Sequence, residues 1–342
     1  MIADAVRRVV EGLNLSREEM KFVFGEVMDG SASDVQKAAL LTSLRMKGET
    51  VDEITGAAEA MRSRVTRLAV QKHPLVDTCG TGGDGRGTFN VSTVASIVAS
   101  AAGANVAKHG NRAVSSRCGS ADLFSGLGVE IDRTPDQTAA ILDEIGIAFL
   151  FAPRFHPAMK EVAGVRKELG LRTIFNILGP LTNPAFATRQ VLGVFSPGLT
   201  DTMARVLDHV GTEHALVVHS EDGLDEISIS ARTRVSELRS GEISTSVIEP
   251  EEIGVRRYPI ESISGGDVST NVEIARSILD GKEGGPREIV CANAGAAIYV
   301  AGLARSIREG AVAAREAIDS GAAGRKLDEL IEASRRWSLS DV

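Results

Sequence analysis

Nine consecutive residues, Asp77-Thr78-Cys79-Gly80-Thr81-Gly82-Gly83-Asp84-Gly85, hold four glycines and two carboxylates. A short apolar run precedes them and a helix-forming run follows. Glycine tolerates backbone angles that side chains forbid, and it lets a ligand approach main-chain N–H groups closely. Such a turn, aimed at the start of a helix, suits a phosphate or pyrophosphate. The stretch continues as Arg86-Gly87-Thr88-Phe89-Asn90-Val91-Ser92-Thr93. Ser92 and Thr93 read as helix N-caps, and the same oxygens and N–H groups could serve a phosphate or a metal. The chemistry expected is that of a phosphorylated small molecule.

Gly80, Gly82 and Gly85 also fit G-x-G-x-x-G, the dinucleotide-binding spacing. That reading requires a carboxylate about 20 residues on, at the end of the next strand, to hold a ribose hydroxyl. The next strand, Ala104 to Ala107, instead runs into Lys108-His109-Gly110-Asn111-Arg112. Asp84 inside the loop would repel a bare phosphate, so a metal ion is expected between them. The nicotinamide reading fails.

Lys108 through Ser116 form a second cluster. A charge run is usually a solvated face. This one lies at the carboxyl end of a strand, where open α/β sheets place ligands, and offers Lys, Arg and an amide. A third cluster, Asp222-Gly223-Leu224-Asp225-Glu226, follows the strand ending at His219. Adjacent carboxylates commonly decorate a surface, yet Mg²⁺ often takes one or two of them plus substrate phosphate oxygens. Pro180 sits in a rigid turn, and Arg166 lies on a predicted helix where a surface ion pair is the simpler use.

The positioning elements follow from pattern. In the first 70 or so residues, Val6, Val9, Val10 and Leu13 recur at helical spacing. Ser16 with Glu19 and Thr50 with Glu53 match capping boxes, and Gly48 reads as a stop. No strand-like alternation occurs there, so a small helical domain is expected over residues 1–72. From Leu75 the texture alternates between strand and helix: Ser92 to Ala102 helical, Ala104 to Ala107 a strand, and a capped helix at Thr134-Pro135-Asp136-Gln137. Further strands are read at Ala148 to Phe151, Val191 to Phe195, Ala215 to His219 and Glu288 to Cys291. The expectation is an α/β domain over residues 73–342, with a mixed, largely parallel central sheet flanked by helices. A helical segment near 157–185 would return to the N-terminal helices.

Composition narrows the class. The 342 residues carry a net charge of −8, with 43% hydrophobic, 25% charged and 4% aromatic residues. The charge argues against nucleic acid or an anionic membrane surface as partner. No apolar run reaches membrane-spanning length. Cys79, Cys118 and Cys291 are too few and scattered for a disulfide framework or zinc site, so a reduced, cytoplasmic protein is expected.

Taken together, Asp77 to Asp84, Thr88 to Thr93, Lys108 to Ser116, Gly119-Ser120-Ala121-Asp122, Arg172 to Pro184, Asp222 to Glu226 and Asn293 to Ala297 resemble the anthranilate phosphoribosyltransferases. The resemblance spans nearly the whole chain and implies a nucleoside phosphorylase-like phosphoribosyltransferase fold that dimerises through its helical domain. It implies transfer of phosphoribose from phosphoribosyl pyrophosphate (PRPP) to anthranilate, in tryptophan biosynthesis. By that resemblance, Gly80, Gly83, Asp84, Thr88, Asn90, Val91, Ser92, Thr93, Lys108, His109, Gly110, Asn111, Arg112, Ala113, Val114, Ser115, Ser116 and Ser120 would bind PRPP. Ser92, Asp225 and Glu226 would hold Mg²⁺. Gly80, Asn111 and Arg166 would contact anthranilate, with His109 and Pro180 beside them; Lys108, Arg166, Asp225 and Glu226 would carry the catalysis. A pyrimidine nucleoside phosphorylase is the rival enzyme, and a nucleic-acid-binding relative of the same fold the rival from another class. The Asp225-Glu226 pair and the Lys108-His109-Gly110-Asn111-Arg112 run weigh against the first; the acidic balance and the same carboxylates weigh against the second.

Overall fold

Ser16, Ser33 and Thr50 each stand three residues ahead of a Glu or Gln, and each pair closes a reciprocal capping box. These boxes start three of four N-terminal helices: α1 (Ile2–Val10), α2 (Arg17–Met28), α3 (Asp34–Lys47) and α4 (Val51–Arg62). The computed structural model describes residues 1–113 and 117–336. Gly48, with φ of 88°, ends α3. The apolar face of α1 differs from the stripe read in the sequence. Ile2, Ala5 and Val9 are buried, while Val10 and Leu13 are 70% and 51% exposed. Glu53 is fully buried and accepts from Leu15 N at 3.0 Å, Thr50 N at 2.8 Å and Lys47 Nζ at 2.8 Å. A buried carboxylate satisfied this completely ties three segments of the bundle together.

The remainder builds one sheet: β1 (Leu75–Gly80), β2 (Asn105–Gly110), β3 (Ile147–Phe151), β4 (Arg189–Gly193), β5 (His214–Ser220), β6 (Thr233–Arg239) and β7 (Glu242–Ile248). Its order is β3-β2-β1-β4-β5-β6-β7. The first five strands pair in parallel and the last two antiparallel, which makes the sheet mixed and mostly parallel. Around it run α5 (Val91–Ala101), α6 (Ser120–Leu127), α7 (Pro135–Ile145), α8 (Ala152–Phe155), α9 (Lys160–Leu169) and α10 (Phe175–Leu178). They are followed by α11 (Leu199–His209), α12 (Val268–Leu279), α13 (Gly285–Val300), α14 (Ile307–Asp319) and α15 (Ala322–Arg336).

Successive side chains of a strand point to opposite faces, and β5 divides between two cores accordingly. Leu216 and Val218 join the core built with α5, α13, α14 and α15. Ala215 and Val217 join the core that holds α11 and the N-terminal helices. Val162 and Val165 of α9, with Phe175 and Leu178 of α10, belong to that second core. The helical lobe therefore packs on one face of the sheet.

The sequence reading of a strand at Glu288 to Cys291 is wrong. Those residues lie inside α13, a sixteen-residue helix with almost every side chain buried. A helix apolar all round has no amphipathic period, so a short window of it looks like a buried strand. The β6–β7 hairpin went unread. Its turn is Ser240-Gly241, both at positive φ, the geometry that matches strand twist.

Candidate active site

Parallel strands bring all their carboxyl ends to one edge: Gly80, Gly110, Gly193 and Ser220 lie along it. From β1 the chain moves to β2 on one side and later to β4 on the other. The crevice between β1 and β4 is thus the switch point, where such sheets take ligands.

The loop after β5 enters that crevice. A Cβ on Gly193 would lie 1.5 Å from Asp225 O, and one on Gly80 would lie 2.5 Å from Asp225 Oδ2. Asp225 can sit there only because both strands end in glycine. Its Oδ2 accepts the Gly82 N–H at 2.9 Å, and Glu226 Oε1 accepts the Ser92 N–H at 3.1 Å. Asn293 of α13 fixes the next residue, accepting from Ile227 N at 2.9 Å and donating to Ile227 O at 3.0 Å. Lys108 is 2% exposed and donates to Thr78 O and, at 3.3 Å, to Ser92 Oγ. Ser92 Oγ and both carboxylates therefore share one small volume with an ammonium group.

Ser92 and Thr93 are not caps. Asn90 occupies the cap position of α5 without a side-chain cap bond, and Thr93 Oγ1 is buried with no partner among the described residues. The Ser92 N–H is satisfied instead by Glu226, whose charge the positive end of the helix favours. Val91 and Thr93 are both buried.

Electrostatics follow from this crowding. Burial pushes Asp225 up to about 6, and the neighbouring Asp84 adds to the shift. Glu226 is held well above the usual carboxylate range, first by burial and then by Asp225. Burial lowers Lys108, opposed by Asp77, Cys79 and Glu226. Asp77 lies beneath, wholly buried, with Oδ1 accepting the His109 N–H at 3.2 Å. Burial raises it to about 6 against the pull of Lys108.

The donor set fits a small hard cation: two carboxylates and a hydroxyl, all oxygen. Two adjacent, half-buried like charges repel, and a divalent ion would relieve that. Among the described residues no three His, Cys, Asp or Glu side chains cluster in a metal-binding group. Such a site relies on ligand oxygens to complete it, which is how Mg²⁺ is commonly held.

The other sequence candidates surround this centre. Thr88 bridges to Ser264, and Asn90 N donates to Asn271 Oδ1 at 3.0 Å. Gly110 packs so closely on Ser120 that a Cβ would lie 2.2 Å from Ser120 Oγ. Ser120 Oγ donates to Asn111 O at 3.3 Å. Arg112 pairs with Asp122 at 3.0 Å, and the same carboxylate accepts Ala113 N. Val114, Ser115 and Ser116 lie outside the described residues. Pro180, buried, accepts Gln190 Nε2 at 2.8 Å. Arg166 on α9 is half-buried, its guanidinium 5.2 Å from the Phe175 ring centre. The Arg166 side chain has no ion pair or hydrogen bond among the described residues, and no such contact joins it to Asn111 or Gly80. A cavity of about 740 Å³, lined by Arg189, His214, Arg239, Tyr299 and Arg305, lies at the opposite edge of the sheet and holds none of these candidates.

Gly193 and Asn293 position the carboxylates, and sequence reasoning gave neither a role. A glycine closing an otherwise Val- and Leu-rich strand was the available signal for Gly193. His109 and His156 form a buried pair, Nε2 to Nε2 3.1 Å apart. Burial holds them down to about 3 and about 4.

Matches to known proteins agree with one another. The profile described as "Glycosyl transferase family, a/b domain" covers residues 72–324, and "Glycosyl transferase family, helical bundle domain" covers residues 3–65. The anthranilate phosphoribosyltransferase of Thioalkalivibrio sulfidiphilus is 52% identical over 327 residues, 96% of this chain and 97% of that one. That of an Anaeromyxobacter species is 51% identical, over 98% and 99% of the two chains. The crystal structure of the Thermus thermophilus enzyme superposes with a TM-score of 0.92 at 45% identity, covering 97% and 99%. The Saccharomyces cerevisiae enzyme in complex with PRPP and Mg gives 0.89 at 26% identity, covering 98% of each chain.

The imidazole pair sets a pH test. Both folded values lie below the ordinary histidine value near 6.5. As pH falls from about 6.5 toward 4, the unfolded chain therefore takes up protons that the folded chain refuses, and stability is lost at up to about 1.4 kcal/mol per unit for each histidine. His156→Gln is expected to make that acid loss shallower by about 1 kcal/mol per unit in denaturant unfolding. An unchanged slope would show that His156 titrates normally in the folded chain.

Proposed function

Because the chain belongs to the anthranilate phosphoribosyltransferase family, we propose that it transfers the 5-phosphoribosyl group of PRPP to the amine of anthranilate, releasing pyrophosphate. It is a pentosyltransferase. The observation that carries the site assignment is the convergence of Asp225, Glu226, Ser92 and Lys108 on the crevice below the glycine loop.

Ser92, Asp225 and Glu226 would hold Mg²⁺ together with PRPP oxygens; when bound, the ion supplies countercharge to the leaving pyrophosphate. Loop residues Gly80 to Thr88, the amino end of α5, Lys108 to Ala113 and Ser120 surround the phosphates. In the reaction the bond from the ribose carbon to pyrophosphate breaks as the amine nitrogen bonds to that carbon, and the nitrogen then sheds one proton. Aromatic amines are neutral near pH 7, so a strong base is unnecessary. The chain's tasks are to stabilise departing negative charge and to hold the amine in line. Fixed N–H groups of the loop and Lys108 serve the first. Arg166, a guanidinium without a protein anion, serves the second by gripping the anthranilate carboxylate. His109, kept neutral, and Pro180 border the aromatic ring.

Two expectations about context belong to the same reading. No helix among the described residues is long and apolar enough to cross a membrane, and we place the enzyme in the cytoplasm. The helical lobe exposes Val10, Leu13, Phe22, Val35 and Met46, which a homodimer would cover. Light scattering should then give twice the 36.0 kDa of one chain; a mass of one chain at micromolar concentration would remove the dimer.

Anthranilate fluorescence should fall in a mixture of protein, PRPP and Mg²⁺, and should stop falling with EDTA. Asp225→Ala with Glu226→Ala should abolish the Mg²⁺-dependent rate. Arg166→Ala should raise KM for anthranilate by roughly 10- to 150-fold, the worth of a charge-assisted contact of about 1.5–3 kcal/mol. Fluorescence that holds steady with folded wild-type protein would refute the assignment.

A further inference from the structure

The glycine loop has little stiffness of its own. Gly82, Gly83, Gly85 and Gly87 all adopt positive φ, and ordering such residues costs more backbone entropy than ordering any others. Something must hold the loop in a single shape. Part of the restraint is local to the α/β core: Asp225 takes Gly82 N, and Gly265 N donates to Gly87 O at 2.9 Å. A further restraint comes from the helical lobe.

Arg172 supplies it. The α9 helix ends at Gly170 in the left-handed region, and Arg172 follows two residues later. Its base is fixed. Val162 and Val165 are buried in the helical core, Lys37 Nζ donates to Glu161 O at 2.7 Å, and Thr173 N donates to Asn176 Oδ1 at 3.0 Å. From there the guanidinium crosses to the other lobe. Nη2 donates to Gly83 O at 2.5 Å, and the group lies 4.8 Å from the Phe195 ring centre. Phe195 N in turn donates to Thr81 Oγ1 at 3.1 Å. Arg172 thus grips the loop at Gly83 and stacks on the residue that holds its first turn. A Cβ on Gly83 would come within 3.3 Å of the guanidinium carbon. The remaining donors of Arg172 have no protein acceptor among the described residues, although the chain carries 46 acidic side chains against 38 basic ones.

We propose that Arg172 is a positioning residue for the pyrophosphate loop, orienting the Gly83–Asp84 peptide across the gap between the lobes. The geometry of a trans peptide makes this effective. With Gly83 C=O turned to Arg172, the Asp84 N–H points to the opposite side, and it makes no hydrogen bond among the described residues. Were the carbonyl released, the peptide could flip and present an oxygen where an anion needs a donor. Arg166 lies on α9 and Arg172 just beyond its end, so the carboxylate-binding and pyrophosphate-binding parts share one support. The inference rests on the proposed function for its identification of the anion as pyrophosphate.

Three variants separate the possibilities: Arg172→Ala, Arg172→Gln and Arg172→Lys, read by KM for PRPP, KM for anthranilate, and calorimetric binding of magnesium pyrophosphate. Positioning requires Arg172→Ala to weaken PRPP use and pyrophosphate binding roughly tenfold, about the worth of one hydrogen bond. KM for anthranilate should stay within about twofold on the same arithmetic. Arg172→Gln keeps a planar N–H donor without the charge and should recover most of the loss. If Gln behaves like Ala while Lys restores binding, Arg172 acts as a charge on the anion itself and the positioning role is overturned. Unchanged pyrophosphate binding in all three overturns it as well. A wild-type chain that binds magnesium pyrophosphate yet transfers nothing to anthranilate would refute the function while leaving the loop claim measurable.

Discussion

Two half-buried carboxylates set side by side govern this site. Asp225 and Glu226 repel each other in surroundings that give each little solvation, and both are accordingly hard to ionise. Several neighbouring features answer that cost, while Asp84 adds to it. The Gly82 and Ser92 N–H groups point at them, Lys108 stands behind Ser92, and α5 presents its positive end. Adjacent carboxylates held together in spite of such a cost suit a cation or a polyanion–cation pair.

Their position is a consequence of topology. Parallel strands put one set of ends together, and the reversal of strand order at β1 opens a gap beside β4. Register then places Gly80 opposite Gly193, so the gap is floored by two residues without side chains. Asp225 fills that floor. The opposite edge of the sheet has a cavity of about 740 Å³ whose arginines are interspersed with Asp208 and Glu213.

Much of this was legible in the chain because local rules and tertiary needs agreed. The capping boxes at Ser16, Thr50 and Thr134 start helices where the pattern says they should. The glycine loop reads as a phosphate turn because glycine at positive φ has few other uses at that density. Legibility failed where a signal was shared between structures. The buried helix α13 mimicked a strand, and Ser92 looked like a cap while serving Glu226 and Lys108 through different atoms. The grip of Arg172 on Gly83 was invisible too, since 89 residues separate its partners and an exposed arginine after a helix carries no local mark. The apolar stripe of α1 was overread, because Val10 and Leu13 face outward.

If the adjacent Asp225 and Glu226 carboxylates govern the site, anion binding depends on a metal ion. Calorimetric titration of pyrophosphate, with and without Mg²⁺, into the wild-type chain and into an Asp225→Asn, Glu226→Gln double variant tests it directly. The wild-type chain should bind pyrophosphate only when Mg²⁺ is present, and the neutralised variant should bind it equally with or without the ion. Wild-type binding that is equally tight in the absence of Mg²⁺ would contradict the account.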